Sequence, residues 1–149
     1  MQTMHSDLRK EEIINACKEL YDQYHFKDIT IKLISEQTTC SRPSIYNYFE
    51  TKEEIFLALF QQEYEKWKIE LDEIREKNDT LTKDQFAKLL AHTIENKERL
   101  LKLLSMNMYD LEENSRLERL IEFKEAYGSA VHSVKLCLHK FFKMSEEDS

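Results

Sequence analysis

Residues 29–56 read ITIKLISEQTTCSRPSIYNYFETKEEIF, and their punctuation decides how the rest of the chain is read. Thr30 is placed to cap a short helix in which Ile31 and Ile34 face inward. Polar Gln37, Thr38 and Thr39 end it. Ser41 is placed to cap the next helix, and Pro43 falls in its first turn, where a missing N–H costs little. Ile45 and Phe49, four apart, point back toward a core, which leaves Arg42, Ser44, Tyr46 and Asn47 on or near the opposite side. A helix of two turns is not stable alone in water, so this one must be held by its neighbours. Thr51-Lys52-Glu53-Glu54 has the form of a capping box and opens a further helix.

Upstream, Ser6 or Asp7 can cap a first helix whose Ile13, Cys17, Leu20, Tyr21 and Tyr24 recur at helical spacing. His25-Phe26-Lys27-Asp28 breaks that pattern. Downstream, Ile55, Phe56, Leu59, Phe60, Trp67, Leu71 and Ile74 persist over about six turns, long enough for a strut joining two halves. Polar residues 75–81 are the joint. Thr82-Lys83-Asp84-Gln85 is a second capping box, and Phe86, Leu89, Leu90 and Thr93 give its helix an inner face. A bend over residues 95–98 leads to Leu100, Leu101, Leu103, Leu104, Met106 and Met108, and residues 107–114 form a short connector. Ser115-Arg116-Leu117-Glu118 reads as a third capping box, opening a long helix to about Lys143. Gly128 lies inside that helix at about 1 kcal/mol relative to Ala, which points to close packing or a bend there. Ser145-Glu146-Glu147-Asp148 resembles one more helix start.

Composition agrees with an all-helical chain. Its 149 residues hold one Gly and one Pro, too few breakers for many turns, and 41% hydrophobic residues suffice for a core. No strand signal, repeat or low-complexity segment appears. No apolar run approaches the roughly 18 residues of a membrane span, and the N-terminus lacks an apolar signal core, so the expected location is cytoplasmic. Cys17, Cys40 and Cys137 are scattered and odd in number, as expected of buried reduced thiols. His132 and His139 share a helix face without an acidic or Cys partner at ligand spacing, so no metal or other cofactor is expected. No nucleophile–base pair and no Gly-rich phosphate loop offers a footing for an enzyme.

The net charge of −7 sets a condition on any nucleic-acid reading, because phosphate contacts supply most non-specific affinity. The acid lies mainly elsewhere: residues 27–52 hold Lys27, Lys32, Arg42 and Lys52 against Asp28, Glu36 and Glu50.

Thr30, Ile34, the run Ser41-Arg42-Pro43-Ser44-Ile45-Tyr46-Asn47-Tyr48-Phe49 and the pair Lys52-Glu53 together resemble the N-terminal helix-turn-helix domain of TetR-type transcriptional regulators. The resemblance implies a homodimer that places two recognition helices in successive major grooves of a palindromic double-stranded DNA operator. Carried over by position, Arg42, Ser44 and Asn47 are the base-edge or near-base contacts, Arg suiting guanine and Asn suiting adenine. Tyr46 meets a phosphate or a thymine methyl, while Thr30, Tyr48 and Lys52 grip the backbone. Two departures stand out. The family usually has Gly and Val where this chain has Thr39 and Cys40, and a β-branched residue at positive φ is strained. The family also continues with another long helix where this sequence stops, so the chain is either a fragment, the favoured reading, or a naturally short form.

The implied architecture is a helix-turn-helix DNA-binding domain over residues 1–52 and a helical effector-binding and dimerisation domain over residues 53–149. The implied function is a repressor released from DNA by a small-molecule effector. Trp67, Phe86, Leu90, Leu104, Met108, Tyr109, Phe123 and Tyr127 are the candidate lining of an effector pocket, although for any single one of them plain core is the favoured reading. The alternative, from a different class, is an all-helical protein–protein interaction module that no longer reads DNA.

Overall fold

The computed structural model describes residues 2–142, with side chains from residue 6 onward; Ser145-Glu146-Glu147-Asp148 lies outside the described residues. Those residues form α-helices joined by short turns, with no strand among them. The helices are α1 (Gln2–Gln23), α2 (Ile31–Glu36), α3 (Arg42–Tyr46), α4 (Lys52–Lys77), α5 (Lys83–Glu95), α6 (Glu98–Leu104), α7 (Met108–Glu113) and α8 (Leu117–Phe142), with a 3-10 turn at Phe26–Asp28. The all-α class expected from the scarcity of Gly and Pro is the one observed. Among the described residues, no helix is long and apolar enough to cross a membrane.

The chain divides into two compact units, residues 1–60 with 107–121, and residues 61–106 with 122–149. The expected boundary at 52/53 moves to residue 60, and the first unit gains a second segment. The first turns of α4 explain the shift, because Ile55, Phe56, Leu59 and Phe60 are all buried and complete the head's core.

In the first unit, Ile13, Cys17, Leu20 and Tyr21 of α1 are buried, as are Ile34 of α2, Ile45 of α3 and Phe49 just beyond it. The edges of Tyr21 and Phe26 meet the Phe56 ring at centroid distances of 5.0 and 4.8 Å. Such aromatic pairs add about 0.5–1.5 kcal/mol each beyond the area they bury. Two expectations for α1 are corrected. The helix starts at Gln2, so neither Ser6 nor Asp7 caps it; residues 2–5 hold no Gly or Pro to stop a helix there. Tyr24 is exposed because α1 ends at Gln23 and the apolar phase is lost.

In the second unit, Ile74, Phe86 and Cys137 form a buried cluster covered by Leu81, Leu89, Leu90, Leu138, Phe141 and Phe142. The capping box of α5 forms in full: Gln85 N–H donates to Thr82 Oγ1 at 3.1 Å, and Thr82 N–H to Gln85 Oε1 at 3.0 Å. The buried side chains of Lys97, Glu63 and Ser133 are each paired, which offsets the cost of removing them from water. Lys97 reaches Glu70 at 2.7 Å, Arg99 reaches Glu63 at 3.1 Å, and Ser133 donates to Asp72 at 2.9 Å. The three cysteines are buried free thiols, and burial raises the pKa of Cys17 and Cys137.

Along α8 the structure departs twice from expectation. The helix starts at Leu117, so Ser115 falls outside the cap position and the third capping box does not form. Ser115 Oγ is buried without a partner among the described residues, and Glu118 pairs with Arg116 Nη1 at 3.2 Å. Gly128 is not closely packed: a Cβ added there meets nothing within 4 Å.

Candidate nucleic-acid interface

Three short-range bonds shape the face built by α2 and α3. Thr30 Oγ1 accepts from Leu33 N–H at 3.1 Å and Ser41 Oγ from Ser44 N–H at 3.2 Å, so both caps form where the sequence placed them. Between the helices, Thr38 Oγ1 accepts from Cys40 N–H at 3.0 Å and donates to Ser35 carbonyl oxygen at 3.1 Å. The turn is also tied to α1, because Thr39 donates its N–H and its hydroxyl to the Glu12 carboxylate. A glycine at position 39 has no hydroxyl to offer, so the departure at Thr39 supplies a tether of its own.

Burial of Ile45 fixes the rotation of α3. Arg42, Tyr46 and Asn47 are exposed as a result, Tyr46 by half, and Ser44 is half-buried. An open groove of about 450 Å³ runs beside this face. Thr30, Arg42, Tyr46 and Lys52 line it, so four of the seven proposed DNA contacts are brought together. Lys32 lines it as well, a cation that the sequence counted for charge without naming as a contact. Ser44, Asn47 and Tyr48 lie outside the groove lining; Tyr48 is half-buried.

Lys52 is more committed than its motif position suggests. Its ammonium donates to the carbonyl oxygens of Phe26 and Ile29, both at 2.9 Å, and stands 4.1 Å from the Phe26 ring centroid. Two of its three N–H donors thus pin the α1–α2 connection. Burial lowers its pKa, against the pull of Glu53, Cys17 and Asp28.

Glu54 departs from its expected role. Glu54 N–H does donate to Thr51 Oγ1 at 3.2 Å, but the Glu54 carboxylate does not close a capping box on Thr51. It is fully buried and accepts from Glu50 N–H at 2.9 Å, from Arg116 N–H at 2.8 Å, and from Arg116 Nε and Nη2, each at 2.9 Å. Burial pushes its pKa up, and the Arg116 and Glu50 bonds outweigh burial, so the net shift is downward. Arg116 and Arg119 each donate an Nη2 hydrogen to the Tyr48 carbonyl, at 3.2 and 2.9 Å. Sequence reasoning missed this cluster. Local spacing has no signal for a pair 62 positions apart.

Two family models match the chain. Residues 13–59 match that of bacterial regulatory proteins of the tetR family, and residues 61–149 match a tetracyclin repressor-like C-terminal domain. The chain belongs to the TetR family. It is therefore a DNA-binding transcriptional regulator, and its α2–α3 pair is the helix-turn-helix. Among curated proteins, no sequence relative matches.

The second unit of this TetR-family chain does not gather the eight candidate effector residues in one place. Trp67 is half-buried, with its indole N–H on Thr93 Oγ1 at 3.0 Å. Phe86 and Leu90 belong to the apolar cluster with Phe141 and Phe142. Phe123 and Tyr127 flank Tyr64, at 6.1 and 5.3 Å. Leu104 is half exposed, and Met108 and Tyr109 belong to the first unit, Tyr109 at 65% exposure. A separate open cavity of about 340 Å³ lies between α4 and α5, lined by Glu70, Glu73, Ile74, Leu89, His92 and Thr93 among others. Among the described residues, no group of three or more metal-type side chains converges.

Proposed function

We propose that this regulator is a repressor that binds a palindromic operator as a homodimer and is released by a small-molecule effector. The observation that carries the reading is the groove in which Thr30, Arg42, Tyr46 and Lys52 converge beside the exposed face of α3. Arg42, Ser44 and Asn47 read base edges, Arg42 as a guanine-type and Asn47 as an adenine-type contact. Tyr46 meets a phosphate or a thymine methyl. Thr30, Tyr48 and Lys52 hold the backbone, Lys52 through the N–H left over from its two internal bonds. One recognition helix gives too little contact for specific binding, which is why a second copy is part of the proposal.

The effector binds within the second unit, where a cavity of about 340 Å³ is in the range of small-ligand sites. Occupancy shifts the dimer to a form whose reading heads no longer match the half-site spacing, with a coupling of about 1–3 kcal/mol.

An electrophoretic shift on the DNA lying upstream of the protein's own gene tests the reading. Wild type is expected to shift the fragment and Arg42→Ala to lose the shift. No shift for either protein overturns the proposal that this fragment carries the operator.

A further inference from the structure

The N-terminus of α8 is built into the reading head. Residues 107–121 belong to the same unit as α1–α3, and seven hydrogen bonds join residues 114–119 to the segment that follows the recognition helix. Thr51 Oγ1 donates to the Asn114 carbonyl at 2.7 Å. Arg116 grips the buried Glu54 carboxylate through its backbone and its guanidinium. Arg116 and Arg119 both donate to the Tyr48 carbonyl, two residues beyond the end of α3. The Arg119 guanidinium also lies 5.3 Å from the centroid of Phe49, whose burial anchors the same turn. These two arginines thereby fix where the chain leaves α3.

Arg116 has a second effect on the same surface. Glu50 lines the groove beside Arg42 and Tyr46, and its carboxylate lies 3.7 Å from Arg116 Nε. Arg116 therefore steadies one acid, Glu50, that borders the face meant for DNA, without itself lining the groove.

We infer that Arg116 and Arg119 are positioning residues for DNA reading: through Tyr48 and Glu54 they set the orientation of α3, and whatever loosens them lowers operator affinity without removing a DNA contact. This rests on the DNA-reading proposal above. It goes further by giving the start of α8 a regulatory role in the helix-turn-helix.

The test uses the full chain and two duplexes, the fragment upstream of its own gene and an unrelated fragment of equal length. Affinities of wild type, Arg116→Met, Arg116→Lys and Arg119→Gln are measured at several salt concentrations, with circular dichroism confirming each fold. Positioning predicts that Arg116→Met weakens binding to the upstream fragment by about 5- to 150-fold. Binding to the unrelated fragment and the slope of affinity against salt stay unchanged, and Arg116→Lys recovers part of the loss. A slope lower by about 1, with equal weakening on both fragments, makes Arg116 a phosphate contact and overturns the inference. So does wild-type affinity in both Arg116→Met and Arg119→Gln. Should Arg116→Met fail to fold, Arg119→Gln, which removes a donor to the Tyr48 carbonyl, decides by the same two criteria. If wild type itself does not discriminate between the fragments, the DNA-reading proposal has failed and this inference falls with it.

Discussion

Thr39 donates both its backbone N–H and its hydroxyl to the carboxylate of Glu12, 27 positions earlier in the chain. The helix-turn-helix is thereby fastened to α1 at its turn as well as through its core. Truncating the acceptor leaves two donors to find water. Glu12→Ala is expected to cost about 1–2 kcal/mol in urea unfolding. A change within experimental error would show that solvent replaces the bonds at no cost.

The same carboxylate predicts an acid limb. The Thr39 backbone and hydroxyl bonds hold the Glu12 pKa below its ordinary value, and at Glu54 the bonds from Arg116 prevail over burial to the same effect. With folded values depressed, the unfolded chain binds more protons in between, so stability rises with pH across that window. The contribution is complete above about pH 4.3 and is lost as pH falls through the folded values. Melting temperature against pH checks this: Glu12→Gln should show a shallower fall below about pH 4.3 than wild type.

Trp67 is the sole tryptophan, so its fluorescence reports the second unit alone. Its indole N–H is satisfied by Thr93 Oγ1, which in turn donates to the Leu90 carbonyl at 2.6 Å. Thr93→Val keeps the shape and removes both bonds. Unfolding followed at Trp67 is expected to show a loss of about 1–3 kcal/mol, the range for leaving buried partners unpaired.

Gly128 offers a change in the opposite direction. A methyl group there meets nothing within 4 Å, and glycine inside a helix is unfavourable, so Gly128→Ala should stabilise by about 0.5–1 kcal/mol. Thermal melts at several protein concentrations check it. A lower melting temperature for the variant, together with a wild-type melting temperature that rises with protein concentration, would instead place another protomer against this position.

Much of the fold was legible because helix punctuation is local. Thr30, Ser41 and Thr82 cap where their side-chain chemistry and the polarity changes said they would. The failures share a cause. Ser115 and Glu118 have the spacing of a capping box, but Glu54 and Arg116 compete for that corner, and long-range charge pairing prevailed over local pattern. The recognition face was legible because Ile45 and Phe49 fix its rotation by burial. The prior engagement of Lys52 was not, since the carbonyls of Phe26 and Ile29 that capture it lie 26 and 23 positions away. The effector lining failed to converge for a related reason: apolar residues at helical spacing show which face turns inward, not which inward faces leave a space.

The bonds of Arg116 and Arg119 also order events in time. Chains are made from the N-terminus, and domains generally fold as they emerge. Here the helix-turn-helix residues are synthesised first, yet the partner of the buried Glu54 carboxylate comes 62 residues later. Until residue 119 clears the ribosome, Glu54 has no guanidinium and the Tyr48 carbonyl no donor from this pair. The nascent protein thus carries an unfinished head until the start of α8 has been made, and full competence to engage DNA waits for that segment.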